Sequence, residues 1–348
     1  MNIYDIAEKA GVSPSTVSRV LNDRGNVKES TKKKVLRIIE EENYIPSALA
    51  RNLSVGECRN IAFLAPDIEN PFFSKILHGI SNRASQTGYG VFMFGTDEEP
   101  EREHQVLDSL LRDKPGGLIV IPVQEHDRLT AEKLKTLESE GIPVVLVDRD
   151  FQDASLDGVF SEDFQGARKG VACLIQAGHK KIGMIGGPVT SRPGRERRKG
   201  YETALREHDI RFREEYMVDG NFMEETSYQA MKKLMELTDP PTAVFTANNM
   251  ATLGCLKYMK ENDLKLVRDL ALVGFDDIPE LQYTDIQLTV VTRPIYDMGW
   301  EAMRLMEQRL KDKKELGENR KVVQRIMVRT GLVVRGSEAY PIGEGGTL

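Results

Sequence analysis

The chain has 348 residues, 40% of them hydrophobic and 29% charged, with a formal net charge of −6. That length allows more than one domain with substantial cores, and no apolar run approaches the roughly 20 residues of a membrane span. Cys58, Cys173 and Cys255 are odd in number, far apart and without metal-type spacing, so reduced thiols in a cytoplasmic protein are expected, with no metal site. The N-terminus, with Asp5 and Glu8 beside Lys9, lacks the basic-then-apolar layout of an export signal.

The acidic balance argues against a nucleic-acid binder until it is divided along the chain. Residues 1–58 carry nine Lys/Arg against eight Asp/Glu, and the remainder 39 against 46. Between Arg19 and Arg37 the excess is concentrated in Arg19, Arg24, Lys28, Lys32, Lys33, Lys34 and Arg37, against Asp23 and Glu29. Such a run can meet phosphates while an acidic body stays off the polyanion. Alone it also fits a solvated helix face.

Residues 4–22 predict two short helices joined by a tight turn. Asp5 to Lys9 form the first, with Ile6 and Ala7 facing the core, and Gly11 can take the left-handed conformation that stops it. Ser13 is placed to cap the second helix and Pro14 suits its first position. Val17, Val20 and Leu21 pack inward at helical spacing, leaving Ser15, Thr16 and Arg19 outward near the N-terminal end. A helix-turn-helix inserts that end in the major groove, where the fork of Arg19 can pair with a guanine edge. Val27 to Glu42 predicts a third helix with Val35, Leu36, Ile38 and Ile39 as its apolar stripe. Pro46 then breaks helix, and Ser47 can cap a segment through Leu53 that is too short to be stable alone.

After Arg59 the rhythm becomes strand, helix, strand. Strands are expected at 61–65, 91–94, 118–121 and 144–147, with helices near 72–87, 100–113 and 129–140. The pattern restarts with a helix near 163–177 and strands at 181–185, 216–219, 243–245 and 271–274. Helices near 195–208, 225–237 and 249–261 alternate with them. Continuous apolar strands between amphipathic helices argue for parallel sheets covered on both faces. Two such lobes facing a shared cleft make a natural small-ligand site.

The candidate cleft residues are those that match ligand positions of the family whose resemblance is set out below, and all lie just beyond predicted strands. Phe72 and Phe73 follow the first, Asp148 and Arg149 the fourth, and Arg197 opens the helix after the Lys181–Ile185 strand. Phe222, Asn248, Asn249 and Asp276 follow the later strands. Phe72 and Phe73 fit a core role equally well. One arginine, one carboxylate and aromatic walls suit a polyol, while the crowding of Arg149, Arg192, Arg195, Arg197 and Arg198 raises an anionic ligand. A solvated basic loop explains the crowding as well. No phosphate loop, dinucleotide fingerprint or metal-spaced histidine set stands out. Neither a cofactor nor an enzymatic activity is expected.

The stretch from Tyr4 to Asn22, followed by Asn43-Tyr44-Ile45-Pro46-Ser47-Ala48-Leu49-Ala50-Arg51-Asn52-Leu53, resembles the lactose-repressor family of bacterial transcriptional regulators. The resemblance extends to about residue 336. It implies a multidomain chain: an all-α helix-turn-helix head at 1–45, a hinge helix and linker at 46–58, and an effector-binding and dimerisation body at 59–336. The body would be of the type I periplasmic-binding-protein class, two α/β parallel-sheet lobes, with lobe one at 59–161 and 291–321 and lobe two at 162–290 and 322–336. Three crossings would fall near 161, 291 and 322. The Gly- and Pro-containing residues 337–348 show no heptads and are expected as a flexible tail.

By the same resemblance, Pro14, Ser15 and Arg19 sit at base-reading positions. Thr16, Ser18 and Asn22 suit phosphate contacts or backbone caps beside the Ser13 helix cap, and by the resemblance Leu53 is a minor-groove wedge. Small Ala48 and Ala50 would let a second hinge helix approach. Expected partners are a duplex operator with an inverted repeat, a sugar or sugar derivative bound between the lobes, and a second copy of the chain. Two departures bear on the ligand: Asn249 stands where the family usually has aspartate, and Glu162-Asp163 where it commonly has Asp-Asn. A sugar-binding transport protein would share the body, but the lack of an export signal and residues 1–53 argue against it, and a sugar-processing enzyme using the cleft lacks a positioned nucleophile or acid–base pair.

Overall fold

The computed structural model describes residues 2–21, 27–42, 58–151, 155–316 and 322–339. It divides into two units, 1–59 and 60–348. Asn22 and the hinge residues Ala48, Ala50 and Leu53 lie outside the described residues.

The first unit contains α1 (Ile3–Ala10), α2 (Pro14–Leu21) and α3 (Glu29–Glu41). Asn2 caps α1 through Tyr4 and Asp5 backbone N–H groups, and the Asp5 carboxylate returns a bond from the Asn2 N–H. Gly11 ends the helix at φ 64°, a conformation that glycine adopts without a Cβ clash. The core is Ile6, Ala7, Ala10, Val17, Val20 and Val35, with Ile38 and Ile39 partly buried against it. Leu36, expected in that stripe, is 45% exposed. A 100° step per residue places it off the face shared by Val35, Ile38 and Ile39.

The second unit holds two six-stranded sheets of the same design. The first uses β1 (Asn60–Ala65), β2 (Gly90–Gly95), β3 (Gly117–Val120), β4 (Val144–Val147), β5 (Asp157–Ser161) and β11 (Arg325–Val328). Its order is β11-β5-β4-β3-β1-β2. The second uses β6 (Ile182–Gly186), β7 (Met217–Asp219), β8 (Ala243–Thr246), β9 (Ala271–Phe275), β10 (Thr289–Thr292) and β12 (Gly331–Val333). Its order is β12-β10-β9-β8-β6-β7. All pairings are parallel except that of β10 with β12. The central strands are apolar on both faces because helices cover both.

Around the first sheet run α4 (Pro71–Gln86), α5 (Pro100–Asp113), α6 (Arg128–Ser139) and α11 (Ile295–Leu316). Around the second run α7 (Asp163–Gln176), α8 (Arg192–Glu207), α9 (Glu224–Met235) and α10 (Asn249–Glu261). The chain passes between lobes after β5, after β10 and after β11. The first two passages fall beside the expected 161 and 291. The third comes at 329–330, later than 322, because Arg325–Val328 pairs with Gly158–Ser161 and completes the first sheet.

Residues 337–339, expected in the flexible tail, are docked. Ser337 Oγ donates 2.6 Å to the Leu272 carbonyl and accepts from the Thr289 N–H at 2.7 Å. The Ala339 carbonyl lies 3.3 Å from the ring of buried His179.

Helix α11 carries Ile295, Met298, Ala302, Leu305 and Met306 into the core of lobe one. It crosses α4 where both helices have glycine: a Cβ on Gly299 would stand 2.0 Å from the Ile76 carbonyl, and one on Gly79 2.1 Å from the Tyr296 carbonyl. Gly299→Ala must push the helices apart, with an expected loss of about 1–3 kcal/mol. Gly186→Ala, whose Cβ meets nothing closer than 3.8 Å, serves as the control. Thermal denaturation of both variants checks this: Gly299→Ala should melt several degrees lower and Gly186→Ala close to the parent.

Candidate effector cleft and DNA-reading face

In the head, Ser13 Oγ accepts from the Thr16 N–H at 3.2 Å and its carbonyl accepts from Val17, so the expected cap is formed. Val17 and Val20 are buried, whereas Ser15 and Arg19, one helical turn apart, are exposed. Pro14 and Thr16 are half-buried. Arg19 makes no ion pair among the described residues, which leaves its five donors available to an external acceptor.

In the body, the carboxyl ends of the two sheets enclose a cavity of about 430 Å³. The structure brings all nine proposed cleft residues to its wall: Phe72, Phe73, Asp148, Arg149 and Arg197 with Phe222, Asn248, Asn249 and Asp276. Phe72 and Phe73 line the cavity and also pack into the core of lobe one. Asn70 Oδ1 caps their helix by accepting from the Phe72 N–H at 3.0 Å.

The wall is built from strained backbone. Asp97, Glu98, Asp148, Phe222 and Asp276 all line the cavity with φ between 52° and 67°, unusual for residues with a side chain. Asp148 and Asp276 are counterparts, one after β4 and one after β9. Each donates its N–H to the adjacent strand, to Val159 at 2.8 Å and to Val291 at 2.9 Å. Asn221 and Phe222 turn the chain at φ 50° and 59°. The Phe222 ring then lies over Gly187, where a Cβ would clash at 2.2 Å. Such strain persists only where surrounding bonds over-determine it.

Two of these residues, Asp148 and Asp276, converge on Arg293, a residue the sequence reading passed over. It follows β10 at the second lobe passage and is buried. Its Nε and Nη2 donate to Asp276 at 2.7 and 2.8 Å, and Nη1 donates to Ser161 Oγ at 3.0 Å and to the Asp148 carboxylate. One guanidinium thereby ties the equivalent strand ends of both lobes. Burial opposes its charge, but Asp276 and Asp148 outweigh that and hold its pKa above the ordinary arginine value.

Beside it, Arg197 donates to Asp163 through Nε and Nη2 at 2.9 and 2.7 Å, and to the Ala247 carbonyl through Nη1. Arg192 reaches the same carboxylate at 3.1 Å. Burial would raise the Asp163 carboxyl, yet Arg197, Arg293 and Arg192 together hold it below the usual range. Arg197 and Asp276, both among the candidate cleft residues, thus already hold internal partners.

The arginine crowding resolves the same way. Arg149 pairs with Glu98 at 2.7 and 2.6 Å, Arg195 with buried Glu125, and Arg198 with Glu202. The crowded guanidiniums are neutralised in place rather than left free for an anion.

Besides Arg293, further contacts cross between the lobes beside the cleft. Arg195, on α8, meets Glu125, whose own N–H donates to the Thr190 carbonyl at 3.0 Å. Asn249 Nδ2 donates 2.9 Å to Asn70 Oδ1. Because Asn70 Oδ1 also accepts from Phe72, it must be an acceptor, which fixes the orientation of the Asn249 amide. Asn248 caps α10 through the Ala251 N–H and donates to the Phe222 carbonyl.

The signal that would have found Arg293 was present in the sequence. It stands directly after the apolar strand Thr289-Val290-Val291-Thr292, as Asp148 and Asp276 do after theirs. Asp163 was visible only as a departure from the family pattern.

Removing the keystone should be costly. Arg293→Met leaves Asp148 and Asp276 buried without their cation, and a loss of about 3–5 kcal/mol is expected. Denaturant titration of the isolated variant checks it; a midpoint equal to the parent's would show that the cluster contributes nothing net.

Glu103 supplies a pH signature nearby. It is buried, accepts from the Val123 N–H at 3.1 Å and from Thr130 Oγ1 at 2.9 Å, and burial pushes its carboxyl up to about 7. The folded state therefore keeps a proton that the unfolded chain releases near pH 4.3. The corresponding stability is full below that value and lost as pH rises to about 7, by roughly 3 kcal/mol. Glu103→Gln should flatten this part of the stability–pH profile between pH 5 and 8, measured by urea midpoints.

Comparison with known proteins places these features in a family. Residues 2–47 match the model described as bacterial regulatory proteins, lacI family. Residues 59–329 match that of periplasmic binding proteins and sugar binding domain of LacI family. The chain is 33% identical to catabolite control protein A of Priestia megaterium, across 88% of this chain and 91% of that protein. It is 31% identical to the transcriptional repressor PurR of Actinobacillus pleuropneumoniae, across 89% and 91%. The lac repressor dimer bound to operator and the anti-inducer ONPF shares the fold at a TM-score of 0.83, with 24% identity over 97% of this chain and 99% of that one. These relatives are transcriptional regulators and not enzymes. The chain belongs to the LacI family of DNA-binding transcriptional regulators.

Proposed function

We propose that the protein is a cytoplasmic homodimeric repressor whose operator affinity is switched by a sugar or sugar derivative held between the lobes. The observation that carries the ligand part is the cavity at the carboxyl ends of both sheets, with aromatic Phe72, Phe73 and Phe222 beside polar Asn248, Asn249 and Asp148. Apolar ring faces against a few fixed polar groups suit a polyol. Because the wall draws on both lobes, a ligand there has different contacts in open and closed arrangements, and only such a difference can shift them.

For DNA, exposed Arg19 and Ser15 on one face of α2 support base reading by Arg19, with Pro14 beside it and Ser13 and Thr16 fixing the helix start. Asn22 as a backbone contact and Leu53 as a minor-groove wedge extend this reading from the family resemblance. Two heads on one dimer would read an inverted repeat. Among the described residues no helix is long and apolar enough to cross a membrane, and the proposal needs none.

The test is fluorescence anisotropy of the protein on a selected inverted-repeat duplex, with and without a sugar panel. A ligand should change operator affinity severalfold. Arg19→Ala should cost about 1–3 kcal/mol and relax specificity at one base position per half-site. Uniform weakening on every sequence would make Arg19 a phosphate contact instead.

A further inference from the structure

The charge layout of the cleft says more about its ligand than the fold does. Six carboxylates line the cavity, from Asp67, Glu69, Asp97, Glu98, Asp148 and Asp276, against the three guanidiniums of Arg149, Arg197 and Arg293. Each of those guanidiniums is already bonded to carboxylates of the chain itself: Arg149 to Glu98, Arg197 to Asp163, and Arg293 to Asp276 and Asp148. Arg197 and Arg293 have all three nitrogens engaged. Asp97 pairs with Arg102. That leaves Asp67 and Glu69, on the β1–α4 loop, with no cation within ion-pair distance among the described residues.

A second, independent feature points the same way. Asn249 is 95% buried at the cavity wall, and its Oδ1 has no hydrogen-bond donor among the described residues. Its amide cannot flip to relieve this, because Nδ2 is committed to Asn70 Oδ1. An unmet buried acceptor costs free energy that a donor recovers. A phosphate or carboxylate group offers no donor to that oxygen, meets guanidiniums already paired with the chain's own carboxylates, and adds charge beside Asp67 and Glu69.

We infer that the cleft selects against anions: its effector is a polyol without phosphate or carboxylate, and an ammonium substituent is favoured by Asp67 and Glu69. This rests on the sugar-effector reading above. Asp67 and Glu69 are then specificity-determining residues, and Asn249 is the acceptor that takes a donor from the ligand.

The test is calorimetric titration of the full-length protein with a matched panel. It comprises common hexoses, each with its 2-amino derivative, its 6-phosphate and its aldonic acid, at two salt concentrations, and operator anisotropy is measured in parallel. The amine should bind most tightly, and both anions on the order of tenfold or more weaker than the neutral sugar, as expected for like charges a few ångströms apart. Raising salt should narrow these gaps. Asp67→Asn combined with Glu69→Gln should bring amine and neutral sugar to within a small factor of each other. A phosphate or acid that binds as well as its parent sugar would overturn the inference and leave the sugar-effector reading standing. An amine preference unchanged in the double variant would overturn the assignment of Asp67 and Glu69. If no member binds or moves operator affinity, the sugar-effector reading falls and this inference falls with it.

Discussion

A single buried guanidinium, that of Arg293, holds the centre of the body together. It bonds Asp148 at the end of one sheet and Asp276 at the equivalent point of the other. The three charges are expensive to bury singly and tolerable only as a set, because each is the partner that offsets another's desolvation. Once that set exists, the strand ends on either side are fixed, and the cavity between them acquires a defined shape. The placement follows from topology: a residue directly after β10 lies where the chain leaves one lobe for the other, so its side chain can reach both.

The strained backbone belongs to the same arrangement. Asp148 and Asp276 would not adopt φ 63° and 67° for their own sake. Each is held there by its N–H bond to the next strand and its salt bridge to Arg293. Phe222 is held by the turn at Asn221, by the Asn248 bond to its carbonyl and by the space that Gly187 leaves. Rigid strand ends with side chains fixed by internal partners make a preorganised pocket, which lowers the ordering cost of binding a ligand. The cross-lobe contacts of Arg195 with Glu125 and Asn249 with Asn70 set the closed arrangement against which a ligand must act.

Much of this was legible in the sequence, for identifiable reasons. Short apolar strands and helical periodicity located the repeated α/β lobes, and the match to the family's ligand positions, each just beyond a strand end, picked out Phe72, Asp148, Arg197, Phe222 and Asp276, which line one cavity. Pairing was less legible. Spacing shows that arginines crowd a region but not that each has a carboxylate waiting, since Asp163 lies 34 residues from Arg197 and Asp276 lies 17 from Arg293. Strand β11 was hidden because Arg325–Val328 is an edge strand with an alternating burial pattern. Docking of Ser337 depends on backbone groups of Leu272 and Thr289, which no local composition reveals. Leu36 shows the opposite limit, an apolar residue whose helical phase puts it outside.

In the proposed function, the cleft and the DNA-reading face are coupled through two arrangements of the same body. Coupling free energies are reciprocal. The direct measurement is the dissociation constant of the effector sugar for the full-length protein, taken once alone and once saturated with operator duplex. The two constants should differ by the same factor, within error, by which the sugar changes operator affinity. Equal constants in the presence and absence of operator would contradict it, because a ligand indifferent to the DNA-bound state cannot be the switch.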